Sequence, residues 1–170
     1  MEMNVSLQLW SLKAHDAAWE IAIEAVAGPH AHSELRFSDG KFFSSTQELG
    51  PRFANHKDLF DEDDSHWDIT DIPCAPEDEH IVRRLAEMVT KGIDGHKQTY
   101  GMDHILTDFL PVPIATQTPD EWICSQSVAY VLQSIGLFMG YDTQQLSPDH
   151  VYHILLAELP AWAALRKEMA

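Results

Sequence analysis

From Val5 to Trp10 apolar and polar positions alternate, with Val5, Leu7 and Leu9 set against Ser6, Gln8 and Trp10, which is the period of a strand. From His15 to Ala27 the spacing turns helical. Ala18, Ile21, Ala22, Ala25 and Val26 share a stripe, and Gly28-Pro29 stops it. His32 to Ser38 and Lys41 to Thr46 flank Asp39-Gly40, a dipeptide that accepts positive φ and so suits a two-residue hairpin turn. Trp67 to Ile72 reads as a further strand closed by Pro73. Pro76 opens a helix with an acidic first turn, Glu77, Asp78 and Glu79, favourable to the helix dipole. Its apolar face is read as Ile81, Leu85, Met88 and Val89, and Gly92 ends it.

The stretch from Gly92 to Gln117 is the least regular. Tyr100-Gly101-Met102-Asp103 and the prolines Pro111 and Pro113 suggest a loop with a short helix. Thr118-Pro119-Asp120-Glu121 matches a capping box. The helix it introduces carries Cys124, Val128, Val131, Leu132 and Ile135 on one face, and Gly136 closes it. Ser147-Pro148 caps a last helix to about Leu159, where Pro160 interrupts; Ala161 to Ala170 continues as a helical, basic-ended tail. No internal repeat or low-complexity segment stands out.

With Asp39-Gly40 as a two-residue turn, Ser38 pairs with Lys41, Arg36 faces Phe43, Glu34 faces Ser45 and His32 faces Gln47. Alternation then puts His32, Glu34 and Arg36 on one side of the strand and Leu35 and Phe37 on the other. One face is apolar. The other gathers a histidine, a carboxylate and two neutral hydrogen-bonding groups. A slip of one residue would exchange the faces.

Composition bounds what this arrangement can serve. The 170 residues suit one domain spanning 1–170, and with 45% hydrophobic residues they can bury a core. A net charge of −16, with the 11 Lys and Arg scattered, repels nucleic acid and anionic membranes. No apolar run is long enough for a membrane span, and the first residues lack the basic and apolar regions of a signal peptide, so a soluble, cytoplasmic protein is expected. Two cysteines, Cys74 and Cys124, imply no disulfide framework.

Cys124 near a helix N-terminus sits where amide dipoles favour a thiolate, and an imidazole beside it could act as general base and acid. His32, oriented by Glu34 or by Gln47 across the hairpin, is the candidate imidazole. Taken singly, a cysteine on an apolar helix face is a common core residue, and His32 is one of 10 histidines. Cys74, within Ile72-Pro73-Cys74-Ala75-Pro76, reads as structural. A metal reading competes for the same strand, because His30, His32 and Glu34 alternate on it. That pattern is short and offers no evident fourth ligand, so neither metal nor cofactor is expected. The acidic run Asp58 to Asp64 lacks the ligand spacing and glycine of a calcium loop and reads as a solvated loop.

The two segments together, His32-Ser33-Glu34-Leu35 with Phe37-Ser38-Asp39-Gly40, then Trp122-Ile123-Cys124-Ser125 with Val128 and Leu132, resemble the circularly permuted NlpC/P60 group of papain-like cysteine hydrolases. The likeness is to phage and bacterial YiiX-related members and, more distantly, to the lecithin retinol acyltransferase group. It extends over roughly Val5 to Leu156 and includes the Ser147-Pro148 helix start. In that group the histidine of an early strand precedes a cysteine at the start of a later helix. The resemblance implies an α+β fold, a small antiparallel sheet packed with helices in a permuted papain-like arrangement. It also implies a thiol-dependent hydrolase acting on an amide of a peptide-like or protein substrate. Cys124 would be the nucleophile, His32 the base and Glu34 the orienting third member, with Ser45 and Gln47 as alternatives. Gln126 departs from the pattern, where an acidic residue is expected. Acyl transfer or lipid ester cleavage on the same thiol, a metal-binding protein and a non-catalytic binding protein are the other readings.

Overall fold

The computed structural model describes residues 5–14, 24, 28–46, 49–55, 64–92 and 123–168. It is α+β. Five antiparallel strands, β1 (Val5–Lys13), β2 (His30–Arg36), β3 (Phe42–Thr46), β4 (Gly50–Ala54) and β5 (Trp67–Cys74), form one sheet in the order β4-β3-β2-β1-β5. Three α-helices are described: α1 (Pro76–Lys91), α2 (Cys124–Gln133) and α3 (Pro148–Glu168). Short 3-10 turns occupy Asp64–His66 and Thr143–Gln145. None of the described helices is long and apolar enough to cross a membrane.

One sheet face carries the main core. Leu7, Leu9, Leu35, Phe37, Phe43 and Ile72 alternate onto it and meet Val82, Ala86 and Val89 of α1, Val128, Val131 and Leu132 of α2, and Val151, Leu155 and Trp162 of α3. Full burial of each such aliphatic side chain contributes about 1.5–3 kcal/mol. The opposite face carries a smaller cluster of Trp10, Leu12, Phe42 and Trp67, in which Trp10 meets Phe42 and Trp67 edge-on at 5.3 and 5.9 Å. Strand β2 is therefore covered on both sides.

The hairpin differs from the sequence reading by one residue. Leu35 pairs with Phe43 and Arg36 with Phe42, so Ser38, Asp39 and Gly40 form a three-residue loop. The Phe37 N–H donates to the Lys41 carbonyl at 2.8 Å, and Gly40 takes the left-handed conformation (φ +86) that such a loop needs. Helix α1 clamps this loop. Glu79 accepts from the Ser38 N–H and Oγ at 3.1 and 2.9 Å, and Arg83 pairs with Asp39 at 2.9 Å while lying over the Phe37 ring. The consequence is that Ser44, not Ser45, shares the face of His32 and Glu34.

Other elements also depart from the pattern. β4, with Pro51 as its second residue, has no alternation to betray it and sits at the sheet edge, where a proline removes no needed ladder bond. β5, at the other edge, continues through Pro73 to Cys74 for the same reason. On α1 the buried apolar positions are Val82, Ala86 and Val89, while Ile81 and Met88 are exposed. Helix α3 runs through Pro160 without ending; beyond it Trp162 is buried and donates its indole N–H to the Ile135 carbonyl at 2.8 Å, and Arg166 pairs with Asp78 of α1. α2 begins at Cys124 with Ile123 as its N-cap. The capping box read at Thr118 to Glu121 lies outside the described residues, as do Trp122, Gln47 and the irregular stretch from 93 to 117. Of the helix read over His15 to Ala27 only Glu24 is described, and its carbonyl accepts the Gly28 N–H at 3.2 Å. Of the acidic run Asp58 to Asp64, only Asp64 is described, opening a 3-10 turn.

Candidate active site

Cys124 is the first residue of α2, which packs against β2 and β3. At a helix N-terminus the first N–H groups lack intrahelical partners, and they favour a negative group placed there. Among the described residues the β2–β3 ladder consists of two pairs, Leu35 with Phe43 and Arg36 with Phe42. Beyond them the two strands are no longer laddered, and the backbone N–H groups of Ser33 and Ser125 favour negative charge on the Cys124 sulfur.

The structure brings Cys124, His32 and Glu34 together. The His32 ring and the Cys124 sulfur are near enough that each shifts the other's titration. Its Nε2 lies 3.2 Å from Glu34 Oε1 and 3.3 Å from Ser44 Oγ. Ser44 in turn donates to the same Glu34 oxygen at 3.1 Å. All four side chains are buried, and Trp67 stands edge-on to the imidazole at 6.3 Å. Trp10 and Phe42 extend this apolar wall.

Burial sets the electrostatics and the pairing overrides it. Desolvation alone would pull the His32 imidazole below its ordinary 6.5. The charge and hydrogen bond of the Cys124 sulfur, followed by the hydrogen bond and charge of Glu34, outweigh it and hold the ring at about 10. Desolvation alone would push the Cys124 thiol up. The charge of His32 and its hydrogen bond, with the N–H groups of Ser33 and Ser125, bring it below its ordinary value. Both shifts run the same way, His32 toward the imidazolium and Cys124 toward the thiolate. Cys74 behaves in the opposite way: burial, with no cation strong enough to offset it, pushes its thiol up to about 11.

Gln126 explains its own departure from the acidic residue expected there. As the third residue of α2 it accepts the Ile123 N–H on Oε1 at 3.2 Å, and its amide donates to the Gln144 carbonyl at 2.5 Å. A carboxylate could supply only the first bond, and it would place a negative charge two residues from Cys124. Ser125 fixes the same turn by donating to the Leu146 carbonyl at 2.7 Å.

Of the alternatives read from sequence, Ser45 pairs with Pro51 and lies on the opposite face of β3 from Ser44, so the register removes it from the site. The residue that sequence reasoning passed over is Ser44. Choosing it required the three-residue loop.

The set His30, His32 and Glu34 is not gathered as alternation suggests. Leu12 pairs with His32 but Lys13 with His30, so β2 carries a bulge at Ala31 that turns His30 away. His30 meets two carboxylates instead, Asp149 on Nδ1 at 2.7 Å and Asp68 on Nε2 at 3.1 Å. No known protein family, no curated protein and no solved structure matches the chain.

Proposed function

We propose that the protein is a cysteine-dependent hydrolase that cleaves an amide bond through a thioester, with the permuted papain-like arrangement of the NlpC/P60 group. One observation carries this reading: the buried Cys124–His32 pair, each partner favouring the charged form of the other, with Glu34 and Ser44 behind the ring. A core cysteine needs no such partner, and burial alone would have left it protonated.

Cys124 is the nucleophile. With Nε2 engaged by Glu34 and Ser44, Nδ1 is the ring nitrogen left for the sulfur. The thiolate attacks the carbonyl carbon, and the imidazolium gives its proton to the departing amine. The neutral imidazole then takes a proton from water as that water attacks the thioester, which frees the acid and restores the thiolate. The Cys124 backbone N–H at the front of α2 supplies an oxyanion donor. Glu34 balances the imidazolium and fixes the ring plane, and Ser44 holds Glu34. The apolar wall of Trp10, Phe42 and Trp67 keeps the local dielectric low, so these charges act more strongly than in water. The substrate class is a peptide-like or protein amide.

The test is an acid-quench experiment on the full chain with a panel of fluorogenic peptide amides. The expected result is an acyl adduct on Cys124 seen by mass spectrometry, and turnover that Cys124→Ala and His32→Ala each abolish without loss of fold. Turnover that survives Cys124→Ala overturns the proposal.

A further inference from the structure

A second cluster stands apart from the thiol and was built by the bulge in β2. His30 is the first residue of that strand, and Asp149 and His153 lie one turn apart on α3. One donor atom from each converges, all within 4.8 Å of one another. His30 Nδ1 is 2.7 Å from Asp149 Oδ1, and His153 Nε2 is 3.5 Å from the same oxygen. Donors around a tetrahedral zinc ion, each at roughly 2.0–2.1 Å, stand about 3.3 Å apart. These two separations bracket that spacing, so modest side-chain adjustment brings the three onto one ion.

The surroundings are those of a supported site. His30 Nε2 faces Asp68 Oδ2 at 3.1 Å, and Lys13 holds Asp68 at 2.7 Å. A carboxylate on the far nitrogen of a ligating histidine is the usual outer partner: it fixes the ring and makes the near nitrogen a better donor. Tyr152 packs on the His30 ring at 4.2 Å. Gly28 (φ +98) lies so close to Asp149 that a Cβ there would come within 2.5 Å of the carboxylate, so the 28–30 segment is fitted to that side chain. His30 is 3% exposed, whereas His153 is largely exposed and leaves an entry path from solvent. The strong negative charge of the chain raises the local cation concentration.

We infer that His30, Asp149 and His153 bind one divalent transition-metal ion of the zinc class, with Asp68 as the carboxylate behind His30. Two imidazoles and one carboxylate select this class over calcium or magnesium, which take oxygen sets. The ion ties the start of β2 to the first turns of α3. The inference does not depend on the hydrolase reading, since no member of this cluster belongs to the Cys124–His32 pair.

The experiment is zinc titration of the full chain after chelation and desalting, read by calorimetry and by metal analysis after dialysis. The expected result is one equivalent of zinc. Its affinity should fall at least 10–100-fold in His153→Ala and in Asp149→Asn, and by about the same in Asp68→Asn. His153 is exposed, so its replacement leaves the fold intact, which circular dichroism checks. Cobalt bound in place of zinc should give visible bands that disappear in His153→Ala. Two results overturn the inference: no stoichiometric zinc in the unaltered chain, or affinity that persists in both His153→Ala and Asp149→Asn. If Cys124→Ala alone removes the zinc, the ion sits at the thiol and the inference also fails.

Discussion

Alkylation of the two cysteines by iodoacetamide provides an internal comparison. Both thiols are buried, so a small electrophile is needed and neither has an advantage of exposure. Cys74, held at about 11, presents roughly one thiolate per ten thousand molecules at pH 7. A thiol at the ordinary 9.0 would present about one per hundred, and Cys124 lies below that. The thiolate advantage is thus at least about 100-fold. A less basic thiolate is a weaker nucleophile, which over these two units removes about tenfold. The net preference for Cys124 is therefore at least about tenfold at pH 7. It grows as the Cys124 value falls further, because each unit adds about tenfold in thiolate until that saturates and removes only about threefold in reactivity. The assay is peptide mapping of alkylated protein over time from pH 5 to 10. The Cys74 rate should climb about tenfold per pH unit through this range, while the Cys124 rate should level off early. His32→Ala removes the imidazolium, leaves the thiol with its desolvation, and should abolish the preference. Equal labelling of the two cysteines, or a Cys124 rate that rises in parallel with that of Cys74 up to pH 9, would rule out an acidified Cys124 thiol.

Four substitutions address the groups around the pair. Ser44→Ala should lower kcat/KM by about 5–10-fold, about one hydrogen bond, while Ser45→Ala leaves it unchanged; the same peptide amides measure both, and the reverse order would restore the two-residue turn. Glu34→Gln should retain weak turnover, because a neutral acceptor still orients the ring without balancing its charge; full activity would remove Glu34 from the site. Gln126→Glu should slow alkylation of Cys124 and lower the melting temperature, since it forfeits the bond to the Gln144 carbonyl and adds a negative charge near the sulfur; an unchanged alkylation profile would contradict that account.

Much of the site could be read from residue order, because its parts obey local rules. A cysteine at a helix start and a histidine two residues from a carboxylate on a strand are short-range patterns, and the structure gathers all three. The register was not legible. Phe42 and Phe43 are adjacent, and either could be the inward residue, because this sheet buries both faces. What decides it is distant in sequence: Glu79 and Arg83 of α1 hold Ser38 and Asp39. The apolar stripe of α1 misleads for a related reason. Small Ala86 allows close packing against the sheet, while the larger Ile81 and Met88 are left outside. Pro51, Pro73 and Pro160 each look like a boundary. Two lie on edge strands, and Pro160 is followed by Trp162, whose burial and bond to the Ile135 carbonyl keep α3 docked. The bulge that parts His30 from His32 has no sequence mark at all; it is fixed by the pairing of Lys13 and by two carboxylates from β5 and α3.

The proposed hydrolase depends on Cys124 resting as a thiolate paired with His32. Titration of the ultraviolet thiolate absorbance tests it most directly, because the chain has only two thiols and they should separate into two steps. One equivalent of thiolate should already be present at neutral pH and absent in Cys124→Ala, with the second appearing only near pH 11 from Cys74. A chain that shows no thiolate until above pH 9, with or without Cys124, would contradict it.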